Sequence, residues 1–278
     1  NNFREVSSST ANEVLDREEL SECEAVLCLP DSYTADGEPT QLILSCHGAG
    51  NTVSEEKGKI GGLAYASECI RSGYAALDIS GSEAHGLTMG CPEHVFALYK
   101  AYRYAIKNYN LTERVLVAGH SMGGGTAINF AHTFPSLVIA LGVMNPGLSF
   151  HAVMVGDHVC RNPWDRKFED GYRYRKVITQ YFRFPSEEFS EVNTAGFEPY
   201  RTRSFVNAEG ERAVIPPCPV KIWQGADDKT VDPVLSREYY DSIRRAGCYA
   251  ELHVLDGVAH KVVDVMKKEL HLWFERFI

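Results

Sequence analysis

The sequence lacks several things that would each direct it to a different function. It has no apolar run long enough to cross a bilayer as a helix. It has no Cys-x-x-Cys pair and no His/Cys spacing of a zinc site, so no metal or other cofactor is expected. It has no excess of positive charge either: the formal net charge is -9, which removes the electrostatic footprint of a nucleic-acid binder and makes polyanionic partners unexpected. No internal repeat or low-complexity tract breaks its composition, and 44% apolar with 23% charged residues is ordinary for a globular chain with a real core. A length of 278 residues allows one large α/β domain or two small ones, and one is the expectation. The eight cysteines, Cys23, Cys28, Cys46, Cys69, Cys91, Cys160, Cys218 and Cys248, are scattered, several of them in apolar strands or helices, and read as mostly buried reduced thiols of a reducing, cytoplasm-like compartment, with a disulfide or two as the alternative. No signal-peptide pattern is visible, and a chain opening at Asn1 rather than Met reads as a processed product or a piece of something longer.

What is there alternates. Residues 1–23 are polar and read as a peripheral lead-in, flexible or helical around 12–20, ahead of a domain over 24–278. Within that domain, strand-like apolar runs fall at 41–46, 74–79, 114–118, 139–144, 220–223 and 249–255. Helix-length stretches with apolar residues every three or four positions lie between or after them, at 55–72, 93–108, 122–134, 233–246 and 261–277. Strand alternating with helix predicts a mostly parallel sheet flanked by helices on both faces. The segment 148–217 breaks the rhythm. It is long, aromatic and arginine-rich, and excursions of this length are usually lids or inserted subdomains, so a cap over the site is expected there.

The chemistry is carried first by Gly119-His120-Ser121-Met122-Gly123, which directly follows the apolar run 114–118. A serine hydroxyl is a weak nucleophile at neutral pH, and a tight strand-to-helix turn puts it where a base and backbone N–H groups can reach it. Gly119 and Gly123 suit such a turn because a side chain at either position would crowd strand against helix. A serine nucleophile then needs a base and a carboxylate to orient that base. Both follow in order, as Gly225-Ala226-Asp227-Asp228 after one strand and Gly257-Val258-Ala259-His260 after the next.

With His47-Gly48-Ala49-Gly50 and the 74–78 run ahead of Ser80-Gly81, these motifs make the chain resemble the α/β-hydrolases, in their esterase and prolyl-oligopeptidase-like branch, over about 24–278. The resemblance implies the α/β-hydrolase fold with an inserted cap. It implies Ser121 as nucleophile, Asp228 rather than Asp227 as the acid, three residues after the Gly and three before Val231, and His260 as the base. The Pro that usually follows that Val is displaced here by Asp232. An oxyanion hole needs two preorganised donors. Met122 N–H, at a helix N-terminus, is one, and by similarity Ala49 is the other, with Gly48 or Gly50 as the alternatives to Ala49. His47 then orients its loop, His120 supports the turn or lines the pocket, and His253 is a sheet residue. His85, His94, His132, His151 and His158 have no argument from order.

The expected function is hydrolysis of a carboxylic ester of a small molecule through an acyl-enzyme on Ser121. The ester reading follows from a lone catalytic domain plus cap, with nothing that forms the N-terminal propeller of prolyl-oligopeptidase-like enzymes. A peptidase of that kind, a thioesterase or acyltransferase, and a non-catalytic binding protein on the same fold are the alternatives.

Overall fold

The structure is a computed structural model that describes residues 2–6, 25–54, 59–80, 90, 92–148 and 218–278. Among them, strands β1 (Asn2–Val6), β2 (Ala25–Leu29), β3 (Leu42–Cys46), β6 (Ala75–Ile79), β7 (Val115–His120), β8 (Val138–Met144), β9 (Val220–Gly225) and β10 (Ala250–Leu255) form one sheet in the order β1-β2-β6-β3-β7-β8-β9-β10. A separate small hairpin pairs β4 (Val53–Ser54) with β5 (Lys59–Ile60). Pairing is antiparallel for β1 with β2 and β2 with β6, and parallel from β6 to β10. This is the α/β-hydrolase arrangement, with every parallel crossover passing through helical or long connecting chain.

Strands this apolar have to be covered on both faces, and successive residues supply the two sides. Leu42 and Leu44 face one layer, where α2 (Pro92–Asn108), α3 (Met122–Thr133) and α4 (Pro233–Arg245) contribute Leu98, Tyr102, Phe130, Tyr239 and Ile243. Ile43 between them faces the other, filled from α1 (Ser67–Arg71) and α5 (Asp264–Phe274) by Cys69, Met266, Leu270, Trp273 and Phe274. The α5 contact is close because β8 carries Gly142, where a Cβ would fall 2.2 Å from Leu270 Cδ1, and the Trp273 indole N–H donates to Leu141 O at 2.8 Å. Burying side chains of this size accounts for about 1.5–3 kcal/mol each, which makes the two layers the main source of stability. Cys28, Cys46, Cys69, Cys218 and Cys248 are all buried and unpaired.

Two expectations differ from what the chain does. Residues 55–72 do not form one helix: the described part holds β5, a 3-10 turn over Gly61–Ala64 and only then α1. The interruption is steric. Gly61 has φ +51, and at Gly62 a Cβ would sit 2.0 Å from Ser45 O, so the chain passes against β3 where no helix side chain fits. Within the stretch read as a peripheral lead-in, Asn2–Val6 pairs residue for residue with β2 as the edge strand of the main sheet. The helix expected around 12–20 lies outside the described residues, as do 149–217 of the expected cap. The displaced Pro233 has a local reason: Asp232 caps α4, its Oδ1 accepting the Val234 N–H at 2.9 Å, and Pro233 takes the first helical position.

Candidate active site

Strand β7 ends at His120 and α3 begins at Met122, which leaves Ser121 to make the whole turn. Its φ of 55 and ψ of -123 are unusual for a residue with a side chain. The turn is held by main chain. Ser121 N–H donates to Met144 O at 3.0 Å, and Ser121 O accepts from Gly124 N–H at 2.9 Å and Gly147 N–H at 2.7 Å. A Cβ on Gly119 would lie 2.1 Å from Gly123 O, and one on Gly123 would lie 2.2 Å from Cys46 O and 2.4 Å from His47 O. Both glycines are therefore required by close approach.

The Ser121 hydroxyl points to a base. Ser121 Oγ lies 2.9 Å from His260 Nε2, and His260 Nδ1 lies 2.7 Å from Asp228 Oδ2. The hydroxyl donates to Nε2 and the Nδ1–H donates to the carboxylate, the tautomer in which all three groups are satisfied. Asp228 is buried in the turn after β9. Its Oδ1 accepts the N–H groups of Thr230 at 2.8 Å and Val231 at 2.9 Å, and its Oδ2 accepts a further bond from Gln224 Nε2 at 3.2 Å. Burial alone would push this carboxyl up, but the His260 hydrogen bond and charge, with the Val231 and Thr230 N–H groups, outweigh it and hold it below the usual carboxylate range. Asp227 is exposed, and among the described residues its contact with the base loop is its backbone N–H, which donates to Val258 O at 3.0 Å.

The loop after β3 passes beside Ser121: a Cβ at Gly48 would be 3.5 Å from Ser121 Cβ and 3.1 Å from His120 Nδ1. His47 is buried and donates from Nδ1 to Asp78 Oδ2 at 3.0 Å, and the same oxygen accepts the Gly62 N–H at 2.7 Å. Asp78 thus ties the start of this loop to the 3-10 turn. The Gly48 N–H faces the Tyr65 hydroxyl at 3.5 Å, whereas no acceptor among the described residues takes the Ala49 N–H. Met122 opens α3, so its N–H lies at the positive end of the helix.

His120 packs on His260, with ring centroids 4.9 Å apart, and its Nδ1 lies 3.5 Å from the Tyr65 hydroxyl. Burial, then the neighbouring His260, push its pKa down to about 3. It stays neutral beside the base. Cys46, one residue before His47, does not compete with Ser121, because burial and then Asp78 push its thiol well up. His253 pairs through Nδ1 with Glu269 Oε2 at 2.9 Å, away from the triad. His85, His151 and His158 lie outside the described residues. Among the described residues no group of three or more His, Cys, Asp or Glu side chains could hold a metal ion.

Three supports escaped sequence reasoning. Gln224 joins the acid to α4, donating to Asp228 while its Oε1 accepts the Ser236 hydroxyl at 2.7 Å. Tyr65 bridges the Gly48 loop and the elbow. Asn145 stands at the end of β8 with φ 43, and the sequence carries its signal only as a non-glycine residue between a strand and Pro146-Gly147.

A family model described as serine aminopeptidase, S33, matches residues 85–264. No curated protein matches the sequence. Among solved structures, the acylaminoacyl peptidase from Pyrococcus horikoshii is 15% identical with a TM-score of 0.66, over 99% of this chain and 42% of that one. Est1E from Butyrivibrio proteoclasticus is 17% identical with a TM-score of 0.58, over 94% and 96%. An S-formylglutathione hydrolase from Agrobacterium tumefaciens is 15% identical with a TM-score of 0.62, over 99% and 95%. The chain spans about a third of a Bacteroides ovatus dipeptidyl aminopeptidase IV structure, 35% of its length, and nearly all of the two smaller proteins. At these identities the likeness to solved structures is one of fold.

Proposed function

The chain belongs to the serine aminopeptidase (S33) family and is a serine hydrolase of the α/β-hydrolase fold, and from that premise we propose that it cleaves carboxylic esters through an acyl-enzyme on Ser121. The observation that carries the proposal is the unbroken hydrogen-bonded line from Ser121 Oγ through His260 to Asp228, at 2.9 and 2.7 Å. As Oγ attacks the ester carbonyl, its proton passes to His260 Nε2, and the Asp228 carboxylate stabilises the imidazolium so formed. The carbonyl oxygen becomes an oxyanion, received by Met122 N–H and, from the loop that abuts Ser121, Ala49 N–H. His260 returns the proton to the leaving alkoxide, the alcohol departs, and the acyl group stays on Oγ. Water then enters, gives a proton to His260 and attacks the acyl carbonyl; the bond to Oγ breaks, the carboxylic acid leaves, and His260 returns the proton to Oγ, restoring the Ser121 hydroxyl.

Ester cleavage is the least demanding reaction for this machinery, since an alkoxide or phenolate leaves with less proton assistance than an amine. A solved structure of Est1E holding ferulic acid supports a carboxylic acid product at a site of this fold. The matching family's description and the likeness to an acylaminoacyl peptidase favour a second reading, release of an amine from a peptide. Both are tested by assaying p-nitrophenyl esters from acetate to octanoate beside aminoacyl p-nitroanilides, with wild type and Ser121→Ala in parallel. Ester turnover that Ser121→Ala reduces by roughly 10⁴-fold or more is the expected result. Turnover confined to the anilides would replace the ester reading with the peptidase one, and turnover surviving in Ser121→Ala would remove Ser121 from the mechanism.

A further inference from the structure

Asn145 touches both loops that carry the partners of Ser121. It follows β8, fully buried, in a left-handed backbone conformation of φ 43. Its own N–H donates to Trp223 O at 2.7 Å, which fixes it against β9. Its side-chain Oδ1 accepts the Gly225 N–H at 2.8 Å, at the point where β9 gives way to the turn of Asp228. Its Nδ2 donates to Lys261 O at 3.0 Å, one residue beyond His260. A carboxamide meets both needs from separate atoms of one short side chain, an acceptor oxygen for the first contact and a donor nitrogen for the second.

These contacts fall where the two loops meet. A Cβ at Gly225 would be 2.3 Å from Val258 O and 2.8 Å from Ala259 O, so the acid turn rests on the chain just before the base. Ala226 N–H donates to Leu255 O at 2.9 Å, and Asp227 N–H to Val258 O at 3.0 Å. Those bonds bind the acid turn to the beginning of the base loop. Beyond His260, the bond from Asn145 to Lys261 ties the far side of that loop back to the same point.

We propose that Asn145 is a positioning residue that sets the distance between Asp228 and His260 by clamping the acid turn and the base loop to the end of β8. The inference rests on the reading of Ser121, His260 and Asp228 as the catalytic triad. A buried polar bridge whose side-chain nitrogen and oxygen each hold a partner favours one arrangement of the loops it joins, because each alternative leaves a donor or acceptor unmet. The left-handed backbone serves the same end. It turns the chain so that the side chain reaches both loops, and asparagine tolerates that conformation better than other non-glycine residues.

Two variants separate the clamp from the backbone. Asn145→Gly accepts the left-handed conformation and removes both side-chain bonds. Asn145→Asp keeps the shape and the bond from Gly225 but sets an oxygen against Lys261 O. The readouts are the acylation rate constant from the p-nitrophenol burst with p-nitrophenyl acetate, its pH profile, and the far-downfield proton resonance of the His260–Asp228 hydrogen bond. Folding is checked by circular dichroism, and should Asn145→Gly fail to fold, Asn145→Asp decides by the same readouts. Acylation is expected to fall about 10²-fold in the folded variants, as for a small misplacement of reacting groups, with KM near that of wild type and the downfield resonance shifted or lost. A folded variant with wild-type acylation, pH profile and resonance overturns the proposal while leaving the triad standing. Turnover retained by Ser121→Ala would bring down the triad and this inference with it.

Discussion

Ser121 and its two partners are held in place by different means. Ser121 is fixed by main chain: four backbone hydrogen bonds, a strained φ of 55, and two glycines where strand and helix come too close for any side chain. Asp228 and His260 stand on loops at the ends of β9 and β10, where main-chain bonds are supplemented by side chains, Gln224 and Ser236 behind Asp228, and Asn145 between the two loops. A main-chain device tolerates no change of shape, whereas a side-chain device can be weakened bond by bond. The elbow should therefore fail abruptly and the acid–base side gradually.

The strongest break of this contrast is Gly123→Ala. Its Cβ would meet two backbone oxygens at 2.2 and 2.4 Å, and backbone cannot move aside as a flexible side chain would. Loss of folded protein or of all ester turnover is expected, read by thermal melting and activity together. Next comes Asp228→Asn, expected to leave the fold intact and lower kcat by about 10⁴-fold, because the amide favours the wrong imidazole tautomer. Asp227→Asn is expected to stay within about threefold of wild type, since its contact among the described residues is through its backbone N–H. Equal losses in the two variants would contradict the assignment of the acid.

A smaller and more distributed effect concerns pH. His94 is buried and His120 half-buried, and each is pushed down to about 3 from an ordinary 6.5, desolvation of the ring being the first cause in both and a neighbouring histidine the second. In the unfolded chain both take up protons once the pH drops below about 6.5, while in the folded protein they do not. Their contribution to stability is therefore complete above pH 6.5 and declines as the pH falls toward 3. Asp228 acts in the same direction at lower pH, its carboxyl being held below the ordinary 3.8. The melting temperature should fall progressively from pH 7 to 4, and proton NMR should show no His120 inflection between pH 8 and 5. An inflection near 6.5 would contradict the burial argument.

The same contrast explains what the sequence revealed. The elbow was legible because its requirement is local: Gly119, Ser121 and Gly123 lie within five residues, directly after an apolar strand. Asp228 and His260 were legible from order and from the strands before them. Their supports were not, since Asn145 acts across separations of 80 and 116 residues and a lone Asn carries no pattern. The sheet was readable from alternating apolar runs, but residues 55–72 were read as one helix because periodicity does not register that Gly62 must pass 2.0 Å from where a Cβ would meet Ser45 O. Strand β1 stayed hidden because its five polar-rich residues pair at the edge of the sheet, with β2 as their one neighbour among the described residues.

The most direct test of the claim that Ser121 is activated by His260 is labelling with a fluorophosphonate, located by peptide mass spectrometry in wild type and His260→Ala. A single adduct on the peptide containing Ser121, formed rapidly in wild type and slowed by at least about 10³-fold in His260→Ala, is expected. An adduct on another residue, or equal labelling rates in the two proteins, would contradict it.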